Sequence, residues 1–448
     1  MRRGTGRRSL ILFAADSFML LALCAGARAA DFAVLHQFGA TTGDAAIPQA
    51  GVLLGPGGLL YGTTTQGGSQ LCGGPGCGAV YQLTPPAMTG VAWGEAVIYG
   101  FTGGDDGASP ESDLALEATS GALIGTANLA GANGAGTAFA LVPPAIAGAN
   151  WAFTPLYAFG SVQTDGERPQ AGLLAGPDGS YYGTTQAGGA DNGVESGWGT
   201  VFQLSPPVVG GDPWTQSVLK AFPECCPNRN GYGTYPSAGA LLAVPNGSLL
   251  GTTTAGGRQN AGVAYQMLPP TQPGGAWKEQ EAFDFSSTSG TKGIYPTGGL
   301  VAGANGTYYG TTTYGGRLEY GVVFELDAPT GGVTRWSYKV IYDFKAGHDG
   351  AFPSGGLAIG TGGELYGSTN GGGGGGARRC SSGCGTVFQL TPPTIAGGPW
   401  RETVLHAFKY RDGALPYGRL AIDANGVLYG TTSQGGSAGL GVAFSVAP

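Results

Sequence analysis

One nine-residue segment is written seven times along this chain, and that repetition limits what it can fold into. The copies are LYGTTTQGG at Leu60, LIGTANLAG at Leu123, YYGTTQAGG at Tyr181, LLGTTTAGG at Leu249, YYGTTTYGG at Tyr308, LYGSTNGGG at Leu365 and LYGTTSQGG at Leu428. Three further elements recur around each copy. A proline and a short apolar run precede it, as in Pro169–Ala175 and Pro353–Ile359. A GTVFQLSPP-like segment follows at Gly78, Gly136, Gly199, Gly262, Gly321, Gly385 and Gly441. A tryptophan then leads an apolar run to a closing phenylalanine at Phe38, Phe101, Phe159, Phe222, Phe283, Phe344 and Phe408, spaced by 58 to 64 residues. A period in this range marks an array of one supersecondary unit, because a single unit cannot bury its own apolar face.

Each element is a run of five to nine residues rich in Val, Leu, Tyr, Phe and Thr, which favours strands. We label them A, B, C and D in chain order. Asp178-Gly179, Asn246-Gly247, Asn305-Gly306 and Asn425-Gly426 fall between A and B and predict two-residue hairpin turns. Proline pairs end strand C, since proline donates no ladder hydrogen bond. No helical period is sustained beyond the first thirty residues. The unit is a four-stranded antiparallel meander.

The two ends of the repeat array choose between a solenoid and a ring. DFAVLHQF at Asp31–Phe38 matches strand D, whereas GVAFSVAP at the other end is a strand C with no D after it. Pairing the two closes a ring. The expected fold is therefore all-β: a seven-bladed β-propeller over residues 30–448, one domain, with blade 7 made of residues 416–448 plus strand 31–38.

Residues 1–29 have the form of a secretory signal peptide: Arg2, Arg3, Arg7 and Arg8, an apolar run from Leu10, and Ala27-Arg28-Ala29 as cleavage site. Arg7-Arg8 loosely matches a twin-arginine signal. A secreted or periplasmic location follows, with no other segment long enough to cross a bilayer as a helix. The segment carries five of the 21 basic residues and one of the 28 acidic ones, so the remaining chain has a net charge of −11. That balance argues against nucleic acid as a partner. Export permits disulfides, and Cys72–Cys77 and Cys380–Cys384 are expected to close small surface loops. The state of Cys225 and Cys226 is open.

LYGTTxxGG…GTVFxLTPP…W…VLHAF resembles the tandem repeat of bacterial secreted proteins called GloVer-containing proteins. Its layout also resembles a Kelch blade: Gly-Gly after the second strand, an aromatic in the third, a Trp entering the fourth. The resemblance covers residues 31–448. It implies a propeller-like extracellular or envelope protein and brings no catalytic residues with it.

Function is expected where the repeats differ. The B–C and D–A connections emerge on one face, and variable loops on a rigid scaffold are where binding residues concentrate. Candidates on that face are Asp165, Arg168, Trp198, Tyr314, Arg317, Tyr320, Asp349, Arg378 and Asp412. Exposed aromatics beside Asp and Arg suit a glycan or an envelope protein. The expectation is a monomeric, non-enzymatic binding or scaffold protein. The alternative is a carbohydrate-active enzyme that uses Glu111 and Asp113, two carboxylates that set blade 2 apart. The repeated tryptophans and closing phenylalanines are expected to pack between blades. The three histidines, His36, His348 and His406, form no cluster in the sequence, so neither cofactor nor metal is expected.

Overall fold

In a computed structural model the chain forms seven antiparallel blade sheets ordered A-B-C-D, six of them four-stranded and the fourth extended by Gly233–Pro236, which also pairs with its strand B. The structure describes Met1 and residues 30–448, except 89–90, 147, 190–196, 210–211, 223–232, 238, 273, 287–291, 331–334, 375–378 and 396. Residues 2–29 of the expected signal peptide, Cys225, Cys226 and Arg378 lie outside the described residues. In blade 1 the strands are Leu53–Leu54, Leu60–Thr64, Ala79–Thr84 and Gly94–Gly100. In blade 7 strands Ala421–Ile422, Leu428–Thr432 and Val442–Ala447 are completed by Asp31–Gln37. That last strand pairs with its partner from Asp31↔Ala447 to Gln37↔Val442, so the ring closes as expected.

Each position of the repeated motif has a task. The glycine lies opposite an aromatic residue of its own strand C: Gly430 pairs with Phe444, and Gly367 with Phe388. A Cβ on Gly367 would stand 2.6 Å from the Phe388 ring and 3.0 Å from Leu357. The glycine thus makes room within its own blade. The first hydroxyl residue reaches strand A of the next blade: Thr63 Oγ1 donates to Ser112 O, Thr311 Oγ1 to Gly355 O, and Thr431 Oγ1 to Ala50 O at 2.9 Å, across the seam. The second threonine bonds the carbonyl two residues on, as Thr64 does to Gln66 and Thr432 to Gln434. The motif belongs to the frame.

Two local expectations are corrected. Blade 4 closes on Phe285, not Phe283: Phe285 is fully buried, and its N–H donates to Gly262 O as Phe222 does to Gly199 O. The two-residue A–B turn occurs at Asn305-Gly306, both at positive φ, where Thr307 N donates to Ala304 O. At Asp178-Gly179 and Asn246-Gly247 only the glycine has positive φ, and the connection has three residues, bracketed by Gly176 N–Ser180 O and Val244 N–Ser248 O. The six tryptophans pack in cores shared by two blades, as expected. Trp93 meets Tyr429, Trp151 Tyr61, Trp277 Tyr182 and Trp400 Tyr309 across the blade contact, while Trp214 and Trp336 lie against Tyr181 and Tyr308 of their own blades. Both expected disulfides form, with Cα–Cα separations of 5.6 and 5.1 Å.

Strand D carries the same irregularity in every blade: the pairing skips one residue, as between Val80 and Tyr81 of blade 1 and between Val387 and Phe388 of blade 6. Such a bulge re-aims the side chains that follow. Here it sets a residue near the end of D against one near the start of D in the next blade. Phe283 stacks on Tyr338 at 3.8 Å, His406 on Phe32 at 3.5 Å and Tyr99 on Phe153 at 4.8 Å. Lys220 instead pairs with Glu279 at 2.7 Å, and His36 lies 3.3 Å from Glu95.

At the contact of blades 5 and 6 this place is taken by Tyr342 and Glu402. Burial, aided by the Asp349 charge and opposed by Lys345, pushes the Glu402 carboxyl up to about 7. A carboxyl raised in the folded state adds stability while it is protonated and loses it as pH rises through that value. Glu402→Gln should therefore melt with the parent near pH 5 and above it near pH 8, on the order of a few degrees. Thermal melts across that range check this; parallel curves would contradict it.

Candidate functional site

Around the axis the innermost strands touch backbone to backbone. A Cβ on Gly355 would stand 2.7 Å from Gly418 O, and one on Gly172 2.9 Å from Asp113 O. The inner position is glycine in most blades and is replaced by Asp113 in blade 2 and Arg419 in blade 7. Both side chains line the narrow channel, whose upper end has a volume of only about 110 Å³ and is shared by Glu111. Asp113 Oδ1 accepts from Gly51 N at 2.7 Å. Glu111 accepts from Gln170 Nε2 at 3.1 Å and from Asn128 and Ser109 at 3.4 Å. Burial raises the Glu111 carboxyl against those hydrogen bonds. The two carboxylates thus share the narrow end, while Asp113 and Arg419 also line a wider, largely apolar part of about 380 Å³ with Leu53, Val301 and Leu357, which Glu111 does not line.

The connections on the loop face are more ordered than loops. Each D–A connection pairs with the start of a B–C connection as a short ribbon: Ala45–Ala46 with Gln66–Gly67, Gly166–Glu167 with Ala187–Gly188, Gly293–Ile294 with Tyr314–Gly315, and Gly350–Ala351 with Gly371–Gly372. Past the ribbon, the residue before each conserved-position proline is left-handed: Ile47, Ser109, Arg168, Tyr235, Tyr295, Phe352 and Leu415, with φ between 53° and 59°. This backbone costs about 1–2 kcal/mol at a non-glycine residue. It persists because each N–H donates to a carbonyl of the preceding blade, as Tyr295 N does to Ala261 O and Phe352 N to Tyr320 O.

These strained positions assemble aromatic rings on the loop face. Tyr295 and Phe352 flank Tyr314, with ring centroids at 6.1 and 5.2 Å, and Tyr320 lies against Phe352 at 5.7 Å. Tyr417 lies at the channel mouth, and burial, with a smaller contribution from Tyr314, raises its hydroxyl. Tyr295, Tyr314 and Tyr417 are 38, 45 and 40% exposed. Trp198 and Tyr235 form a separate pair at 4.8 Å. Two hollows open among the same loops, the first adjoining the row and the second sharing no residue with it. One, of about 510 Å³, is lined by Tyr320, Phe352, His348, Ser381 and Ser382. The other, of about 630 Å³, carries Arg379, Lys409, Tyr410 and Arg411, with the Arg379 guanidinium 5.0 Å above the Tyr410 ring.

The expected ligand residues divide into two groups. Tyr314 and Tyr320 fall in the row, and Trp198 in the pair. The aspartates are engaged by the protein itself. Asp165 is 2% exposed and accepts from Tyr157 Oη at 2.9 Å and Gly166 N at 2.7 Å. Asp349 accepts from Tyr342 Oη and Lys345 N, and Asp412 from His406 Nε2 and Lys409 N. Burial of Asp412 is outweighed by those hydrogen bonds, which hold its carboxyl below the ordinary range. Each caps the turn after strand D, so we place the three in the frame. Arg317 stays exposed, 3.9 Å from Asp343. Arg168 is exposed, on left-handed backbone just past the ribbon. Tyr295, Phe352 and Tyr417 are missing from the expectation, although they flank Pro296, Pro353 and Pro416 in the sequence, and a bulky residue beside a repeated proline was the available signal.

The model of the Gloeobacter/Verrucomicrobia repeat matches residues 27–225, 192–380 and 334–448, which together span the whole ring. The chain belongs to this repeat family. No curated protein matches it. Among solved structures it is similar to a protein described as a 6-phosphogluconolactonase from Bacteroides uniformis, at 13% identity, covering 81% of this chain and 86% of that one, with a TM-score of 0.46. It is similar also to the NanB sialidase of Streptococcus pneumoniae, at 12% identity over 93% of this chain and 70% of that one (TM-score 0.41). The Trypanosoma rangeli sialidase shares 7% identity over 93% and 58%, with a TM-score of 0.39. These likenesses are too distant to bear on activity. In this member of the repeat family, the positions that repeat build the frame, and those that do not gather at the aromatic row.

Proposed function

We propose that this protein is an exported, non-enzymatic glycan-binding propeller whose ligand lies on the loop face, across the aromatic row of blades 5 to 7. The observation that carries this is the row itself: Tyr295, Tyr314 and Tyr417 expose large ring area on the loop face, and Tyr295 and Phe352 are held there by left-handed backbone. Flat rings take up the apolar faces of sugars, and phenol hydroxyls and the His348, Ser381 and Ser382 groups of the adjoining hollow serve their hydroxyls. Arg379, Lys409 and Arg411 favour a glycan that bears carboxylate or sulfate groups. The signal-peptide form of residues 1–29 supports delivery to where such glycans occur.

A glycan array probed with residues 30–448, with hydrolysis monitored on every hit, tests this reading. Binding to one class of acidic glycan without product is expected. No glycan bound would overturn it in favour of a protein ligand. Cleavage abolished by Glu111→Gln would instead favour the enzyme built on Glu111 and Asp113.

A further inference from the structure

The contact between blades 7 and 1 holds a grouping absent from the other blade contacts described above. His36 lies on the strand that closes the ring, Asp44 in the connection after it, and Glu95 at the start of strand D in blade 1. His36 Nε2 is 3.3 Å from Glu95 Oε2 and 4.0 Å from Asp44 Oδ1. One ligand atom from each residue lies within 4.8 Å of the other two. The side chains are 16, 6 and 11% exposed.

Glu95 Oε2 has only the 3.3 Å ion-pair contact with His36, and the other atoms at this point are unpaired. His36 Nε2, Asp44 Oδ1 and Glu95 Oε1 make no hydrogen bond, and neither does the hydroxyl of fully buried Tyr81, which feels the charge of Glu95. The other Asp44 oxygen accepts from Ala40 N at 2.9 Å, which leaves Oδ1 for the cluster. Buried polar atoms are nearly always paired, so several orphans at one point call for a missing partner. Elsewhere Tyr265 Oη and Glu402 Oε1 are also unpaired, so what sets this seam apart is that an imidazole nitrogen and two carboxylates converge with open atoms at one point. Tyr342 Oη donates to Asp349, Lys220 Nζ meets Glu279 at 2.7 Å, and His406 Nε2 meets Asp412 at 3.1 Å with the Phe32 ring, not an acid, on its other side.

We propose that His36, Asp44 and Glu95 bind a divalent transition-metal ion, zinc foremost, that locks the ring at its seam. Three lone-pair atoms converge here with no aligned donor among them, which suits a cation. An imidazole nitrogen with two carboxylate oxygens fits zinc or manganese better than calcium or magnesium, which take all-oxygen sets. Water completes the coordination, and the Tyr81 hydroxyl stands behind Glu95 as an outer partner. The ion ties the N-terminal strand to the blade that follows it in the ring, so binding stabilises the closed form.

The test uses tag-free residues 30–448, stripped with a chelator and titrated calorimetrically with zinc chloride, then with manganese and calcium chloride. One equivalent of zinc should bind and raise the melting temperature, with calcium far weaker. Glu95→Gln and His36→Gln should weaken binding by at least roughly a hundredfold. His406→Gln, at the equivalent place in blade 6, should bind as the parent does. No zinc bound by the folded parent, or undiminished binding in Glu95→Gln, would overturn the proposal. Glu95→Gln keeps the seam strand whole, so it reads the site even where His36→Gln does not fold.

Discussion

Removing residues 30–40 is expected to abolish cooperative folding. The lost strand leaves Val442–Ala447 as an open edge and takes six paired residues from blade 7. It also takes side chains from both neighbouring cores. Phe38 is fully buried with Tyr81 and Leu83 in the core shared with blade 1, and Phe32 packs on Phe408 and Phe444 in the core shared with blade 6. Truncating Phe38 alone to alanine should cost about 3–5 kcal/mol. The deletion removes both contacts together with the ladder. Circular dichroism melts and size-exclusion chromatography of the shortened protein should show aggregation or a broad, early transition. A sharp melt at the parent temperature would refute ring closure by this strand.

Gly298→Val should be nearly as damaging, though it adds only three carbons. A Cβ at this position would lie 2.5 Å from Gly355 O, 2.7 Å from Gly355 C and 2.8 Å from Gly356 N. All three are backbone atoms of the next blade, and they can yield only by widening the ring. The cost should exceed about 4 kcal/mol, as expected where a core position cannot relax. Gly426→Ala is the contrast. That glycine meets nothing within 4 Å and owes its identity to a φ of +83°. It should cost about 1–2 kcal/mol, the price of a left-handed alanine. Denaturant melts of both variants check the difference, and equal losses would mean that the axis is not tightly closed.

Most of the frame was legible because it is written seven times. Strand identity follows from the recurring apolar runs, and ring closure follows from matching Asp31–Phe38 to VLHAF. The rest depends on geometry that no single repeat displays. Phe283 and Phe285 are both apolar and two residues apart, and the match of Asp284-Phe285 to Asp343-Phe344 was the available signal for which one is buried. Asp165, Asp349 and Asp412 were legible as turn residues. That their carboxylates also meet strand D through Tyr157, Tyr342 and His406 was not, since this needs the bulge to turn those rings inward. The aromatic row joins residues from three blades, Tyr295 to Tyr417, and only the bulky residues beside Pro296, Pro353 and Pro416 hinted at it. The seam cluster is hidden for the same reason: His36 and Glu95 become neighbours only when the blades close on each other.

The most direct test of the loop face as the binding surface is the dissociation constant of the tightest-binding array glycan for three variants. Tyr314 is partly exposed, and its loss should leave the melting temperature unchanged. Tyr314→Ala and Phe352→Ala are expected to weaken binding by roughly tenfold or more, as for a ring at the centre of an interface. Val208, fully exposed in a C–D turn at the opposite face, serves as the control, and Val208→Ser should bind as the parent does. Unchanged affinity in Tyr314→Ala and Phe352→Ala, or loss in Val208→Ser, would contradict the assignment and move the ligand away from the loop face.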